Sequence, residues 1–270
     1  MPEASNHPIR ARRPELGLDE TIPRHWLAGH AVATHLANGI NLLFPAGERF
    51  FIRSVRRYVD HLEDAAERED VRGFFSQEGR HAAEHERFFR ILEAQGYEIA
   101  SFLDWYERWS ARIERVASPE LRLATTAAAE HFTATLADRA LRKGLLDDAH
   151  PAVRALLLWH AAEEIEHKAV AYDVLEKVAP SYRVRAAGLA LATATLLGFW
   201  FVGARHLLRQ DGITLREARR QLAELGRERP IVAGAFVRGI REYLAPGFHP
   251  WQRDNRALAE AHLATLADAG

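Results

Sequence analysis

The sequence predicts an all-α protein whose helices enclose a polar, metal-binding core. Three observations carry this reading. Ala, Leu, Glu and Arg dominate, while Gly and Pro are sparse inside the periodic stretches. Apolar residues recur at helical spacing in one segment after another. Several of these apolar stripes carry acids and histidines, where a carboxylate costs several kcal/mol unless it is paired or metal-bound.

Bulk properties narrow the classes of function. A chain of 270 residues is long enough for one large domain or two small ones. The formal net charge of −1 provides no basic excess for nucleic acid. There is no cysteine, so disulfides, thiolate-bound zinc and cysteine nucleophiles are excluded, and any metal must be held by histidine and carboxylate. The first residues, MPEASNHPIRARRPELGLDE, lack the apolar core of a secretory signal, and a cytoplasmic location is expected. Residues 1–22 are polar and Pro-containing, and are expected to be disordered or extended over the surface.

A first helix is expected from about Pro23 to Asn41. Its His25, His30 and His35 do not share one ligand face, so they read as surface or second-layer residues. Pro45 suits the start of the next helix, in which Glu48 opens an apolar face continued by Ile52, Val55, Val59 and Leu62. A helix from about Asp70 to Gln95, ended by Gly96, has the inward stripe Val71, Phe74, Glu78, His81, His85, Phe88 and Leu92. The segment SFLDWYERWSARIERV reads as a short amphipathic helix. Ser118 then caps a helix with Pro119 at its first position, and Glu130 lies mid-way along the face of Leu123, Ala127, Ala134, Ala137 and Leu141. Pro151 starts a further helix whose apolar face holds His160, Glu164 and His167.

Beyond Pro180 the character changes. Residues 186–204 carry no charge and are flanked by arginines, at a length near the lower limit for a membrane span. Two readings stay open, a buried or homodimer-interface helix and a membrane-associated one. Amphipathic helices are expected around Leu215–Leu225 and Ile231–Leu244, with PGFHPW breaking the chain before a last helix. The expected organisation is thus an extended segment over 1–22, a dimetal helical bundle over 23–180, and a helical extension over 181–270.

The inward-facing ionisable residues repeat. Glu48 precedes Glu78-x-x-His81, and Glu130 precedes Glu164-x-x-His167. Each half is a helix with a lone Glu followed by a helix with Glu and His on one face. Ferritin-like four-helix di-iron and di-manganese proteins are built from this set of ligands. Two divalent cations would neutralise the four carboxylates, and hard oxygen with imidazole suits iron first, with manganese and zinc as alternatives. His160, one turn before Glu164, is a seventh candidate ligand. His85, one turn after His81, stays open between ligand and support. Glu84, Glu163 and Glu166 lie on flanking faces and read as solvated or ion-paired, while Asp138 and Asp173 are candidates to orient the ligating imidazoles.

The stretches FPAGERFF, QEGRHAAEH, EHFTA, WHAAEEIEH and PGFHPW resemble a bacterial family named "predicted metal-dependent hydrolase" over about residues 25–255. The ligand pattern is also similar to that of the di-iron arylamine N-oxygenases, in which an extra His joins the usual six ligands. The leading expectation is a di-iron oxidase or oxygenase that uses O2 and an electron donor on a small organic substrate held against Phe74, Phe75, Phe88 or Phe132. The alternatives are a dimetal hydrolase, as the family's name implies, and a non-catalytic metal-binding protein.

Overall fold

A computed structural model describes residues 9–228 and 233–267, and among these residues there are helices and no sheet. The helices are α1 (Ala31–Asn41), α2 (Phe44–Arg56), α3 (Ala65–Ala94), α4 (Ala100–Val116), α5 (Pro119–Lys143), α6 (Pro151–His167), α7 (Val170–Val178), α8 (Tyr182–Gln210), α9 (Leu215–Glu228), α10 (Ala233–Tyr243) and α11 (Arg256–Ala267). Ile231, the expected start of α10, lies outside the described residues.

Local chemistry sets the ends. Asp64 caps α3 by accepting the Ala66 N–H at 2.8 Å, and Ser118 caps α5 by accepting the Leu121 N–H at 3.2 Å. Pro119 and Pro151 stand in the first turns of α5 and α6, where a missing N–H costs nothing. The first helix starts later than the sequence predicts. Ala28 (φ 52°) and Gly29 (φ 73°) are left-handed and cannot continue a helix, so α1 begins only after them.

Four helices surround the centre. Helix α2 packs on α3 and α5 on α6, and the pairs meet through α2–α5 and α3–α6 contacts. Two apolar clusters lie on either side, one around Phe88, Trp159 and Trp26, the other around Phe74, Phe132 and Tyr243.

Helix α8 lies across α5 and α1. It is seated by small residues: a Cβ on Gly188 would meet Ala124 of α5 at 2.5 Å, and one on Gly39 would meet Ala204 at 2.7 Å. The helix is long and apolar enough to cross a membrane by length and composition, and 22% of its most apolar window is buried. Leu197 and Phe201 stand exposed on its outer side.

The late PGFHPW stretch folds back over the junction of α6 and α7. Lys168 donates to Arg253 O and Asn255 Oδ1, both at 2.7 Å, and Tyr172 OH donates to Phe248 O.

Candidate metal centre

The structure brings Glu48 (α2), Glu78 and His81 (α3), Glu130 (α5), and His160, Glu164 and His167 (α6) into one buried cluster. Helical spacing explains how: i, i+3 and i+4 positions share a face, and each of the four helices turns that face to the centre. Among the described residues, ligand atoms of Glu48, Glu78 and His81 lie within 4.8 Å of one another, as do those of Glu78, Glu130 and His167, and those of His81, His160 and Glu164. Glu78 and His81 thus each join two of these groups.

Most donor atoms in the cluster have no hydrogen-bond partner. Both oxygens of Glu48 are buried and unpartnered, as are Glu164 Oε2 and His81 Nδ1, while Glu78 and Glu130 have only ion-pair approaches to His167 Nε2 that lack hydrogen-bond geometry. Buried polar atoms are almost always satisfied, so orphans converging on one centre mark a place built for cations. His167 Nε2 stands 3.1 Å from Glu78 Oε1, 3.2 Å from Glu130 Oε2 and 3.5 Å from Glu164 Oε1. His160 Nε2 is 2.8 Å from Glu164 Oε1 and 3.7 Å from Glu48 Oε1.

The electrostatics agree. Burial, then repulsion from Glu78, Glu164 and Glu130, pushes Glu48 well above the usual carboxylate range. Burial, then Glu164 and Glu78, does the same to Glu130. Burial opposes ionisation of Glu164, but His167 and His160 hold it well below that range. Burial likewise opposes charge on His167, and Glu130 and Glu164 overcome it. Without cations the site is frustrated, with too many acids for its imidazoles. Divalent cations would relieve it, and the donor set of carboxylate and imidazole fits iron, manganese or zinc.

The far sides of two imidazoles are held by residues that the sequence did not single out for this task. His81 Nε2 lies 3.0 Å from Glu163 Oε2, and His167 Nδ1 lies 2.8 Å from Gln77 Oε1. Glu163 is wholly buried and ion-paired with Arg12, the second of the two readings its flanking position allowed. A signal existed: Gln77 immediately precedes Glu78, and Glu163 immediately precedes Glu164. Asp138 and Asp173 do not reach the imidazoles. Asp138 pairs with Arg142 and Asn255, and Asp173 with His249. His85 meets His160, with Nε2 at 2.6 Å from its Nδ1, and its ligand atom also lies within 4.8 Å of those of Glu48 and His160.

His25 and His35 are also placed differently from expectation. Both converge on Asp211 Oδ2, at 2.7 and 2.6 Å, and His35 is fully buried. Arg24 and Tyr97 complete the shell of Asp211. His25 before α1, His35 within it and Asp211 after α8 meet here, a pairing that helical spacing cannot reveal.

Residues 10–254 match the family described as "Predicted metal-dependent hydrolase". The chain belongs to this family. No curated protein and no solved structure matches it.

Family membership overturns the expectation of a di-iron oxidase or oxygenase, and the expected need for O2 and an electron donor goes with it. Iron as the particular metal has no support beyond the donor chemistry that zinc and manganese share. The structure also does not gather the expected substrate contacts Phe74, Phe75, Phe88 and Phe132 around one cavity. Phe74 and Phe132 pack in one apolar cluster with Phe75 against it, and Phe88 packs in the other. The cavity that does reach the cluster has Glu48 in its lining, with mostly apolar residues and the charged Arg53, Glu114 and Arg122.

Proposed function

We propose that the protein is a dimetal hydrolase of ferritin-like architecture, with Glu48, Glu78, His81, Glu130, His160, Glu164 and His167 as the ligands of two divalent cations. The observation that carries this reading is the convergence of unpartnered carboxylate oxygens from four helices on three imidazoles, in a chain of a metal-dependent hydrolase family. Glu78 and Glu164 would hold cations beside the imidazoles. Each approaches His167, and Glu164 also approaches His160. When bound, such cations supply Lewis acidity and lower the pKa of water into the neutral range.

The chain's own residues do the rest. Glu48 belongs to the lining of the cavity, and both of its carboxylate oxygens are buried beneath that lining, next to the other candidate ligands. With both oxygens free of hydrogen bonds, one can hold a cation while the other accepts a proton from the attacking water. Water adds to the acyl carbon, the bond to the leaving group breaks, and that group departs as alcohol or amine with the proton. Phe44, ring-packed on His85 and His160 at 4.6 and 4.5 Å, keeps bulk water from the imidazoles.

The test is metal content together with turnover. About two zinc or manganese ions per chain, and ester hydrolysis lost on chelation and restored by metal, are expected, as for two-metal hydrolases. Glu130→Gln and Glu164→Gln should lower both metal content and turnover. A protein that binds no divalent cation after reconstitution would sink the proposal.

A further inference from the structure

A cavity of about 400 Å³ opens between α2, α4, α5 and α8 and reaches Glu48. Small-molecule sites run from roughly 300 to 1,000 Å³, so this one is large enough for a substrate rather than a water. Its walls are apolar: Leu43 and Phe51 on one side, Leu196 and Phe199 of α8 on the other. Glu48 is part of its lining, with both carboxylate oxygens buried and unpartnered. Elsewhere its lining is charged. Arg53 lies 2.8 Å and Arg122 3.9 Å from the single carboxylate of Glu114.

We propose that the substrate is an acyl ester or amide of an aliphatic acid of limited length, with its carbonyl at Glu48 and its chain lying between α2 and α8. The proposal rests on the hydrolase reading above. An apolar wall next to the reacting end gains from every methylene it removes from water. The finite volume sets the limit, because a chain that outgrows about 400 Å³ must leave the apolar wall for solvent and gains nothing further from burial. The hydrolytic step balances without a further reactant: water is consumed, the acyl–oxygen or acyl–nitrogen bond breaks, and carboxylate and alcohol or amine leave.

Two measurements test this on the full-length, metal-loaded protein. The first is kcat/KM on p-nitrophenyl esters from acetate to dodecanoate. Each added methylene should raise it up to about fourfold, the factor for burying one CH₂, until an optimum beyond which it falls. The second is calorimetric binding of the matching fatty acids, whose Kd should tighten with the same chain-length profile. Leu196→Trp, which fills the cavity from α8, should move both optima to shorter chains. Ser110→Trp, which fills it from α4, should do the same and covers the case in which the first variant fails to fold. Esters hydrolysed with no chain-length preference, and fatty acids bound without one, would overturn the inference and leave the hydrolase reading standing. Fatty acids bound with the expected profile, in a protein that cleaves no ester or amide, would support the cavity's chain specificity and overturn the hydrolase reading.

Discussion

Arg12 Nη1 lies 3.1 Å from Glu163 Oε1, and the other oxygen of that carboxylate lies 3.0 Å from His81 Nε2. The same guanidinium holds Glu166 at 2.6 and 2.8 Å, Glu166 accepts from Gln77 Nε2 at 2.8 Å, and Gln77 Oε1 meets His167 Nδ1 at 2.8 Å. One arginine in the N-terminal segment therefore anchors the partners of two candidate ligands on two helices. Carboxylate or amide groups behind a ligating imidazole fix its tautomer and raise its basicity.

Arg12→Ala should weaken divalent-metal affinity by about 10- to 100-fold, the usual cost of losing such support. Arg12→Lys should recover little, because an ammonium cannot fork between two carboxylates. Competition against a chromogenic chelator measures both. Wild-type affinity in Arg12→Ala would mean that the relay positions nothing.

The metal-free protein should lose stability as the pH rises. Burial and neighbouring acids raise Glu48 and Glu130, so their folded forms hold protons that the unfolded chain releases above roughly pH 4. That stability is full below the unfolded pKa and drains away as pH climbs toward the folded values. His167, raised by Glu130 and Glu164 against its burial, acts in the same direction above roughly pH 6.5. Glu164, held low by His167 and His160 against its burial, contributes stability that is lost only in acid. Burial holds His81 and His85 well below the usual imidazole range, which adds stability as pH rises to roughly 6.5. The fall should therefore show in thermal melts of metal-free protein from pH 7 to 9, and saturating metal should flatten it. Glu48→Gln should raise the metal-free melting temperature near pH 8 while lowering metal affinity. A Gln variant less stable than wild type without metal would contradict the picture of repelling acids.

Glu78-x-x-His81 and Glu164-x-x-His167 were legible in the sequence because a period of 3.6 residues fixes which side chains share a face. Ser118–Pro119 and Pro151 were legible because the chemistry of a helix start is local. Arg12 was not, since its segment has no periodicity and its partners lie more than 150 positions away. Glu163 looked like a flanking residue, and only the arrival of α3 and the N-terminal segment buries it. The cavity was illegible for the same reason: Phe44, Tyr106 and Leu196 line it from three separate helices. The Phe residues chosen from the sequence were apolar enough, but one helix's inward face does not say which inward residues border a void.

Gly188→Ala should separate α8 from α5. The added Cβ would stand 2.5 Å from Ala124 Cβ and 2.6 Å from its carbonyl oxygen, and backbone cannot yield as a flexible side chain can. Overpacking of this kind costs about 1–3 kcal/mol, against a gain in helix propensity of at most about 1 kcal/mol. Denaturant unfolding should show a lower midpoint at unchanged slope. Gly198→Ala, at a position with nothing within 4 Å, should be neutral or slightly stabilising and serves as the control on the same helix. Equal effects at the two glycines would show that close packing at Ala124 is not what demands Gly188.

Asp211→Asn should destabilise the protein without touching the metal centre. Burial opposes the charge of Asp211, yet hydrogen bonds from His35, His25 and Arg24 hold it well below the usual carboxylate range. The asparagine cannot accept from all of these, and His35 would stay buried with a partner lost. Loss of a hydrogen bond to a charged group costs about 1.5–3 kcal/mol, which is the expected deficit near neutral pH. Because the folded carboxylate is depressed, its contribution is complete above the unfolded pKa and is lost as pH falls through the folded one. Wild type and variant should thus differ at pH 7 and converge in acid, with metal stoichiometry equal in both. A deficit that does not shrink on acidification would locate the stabilisation in packing around Asp211 and not in its charge.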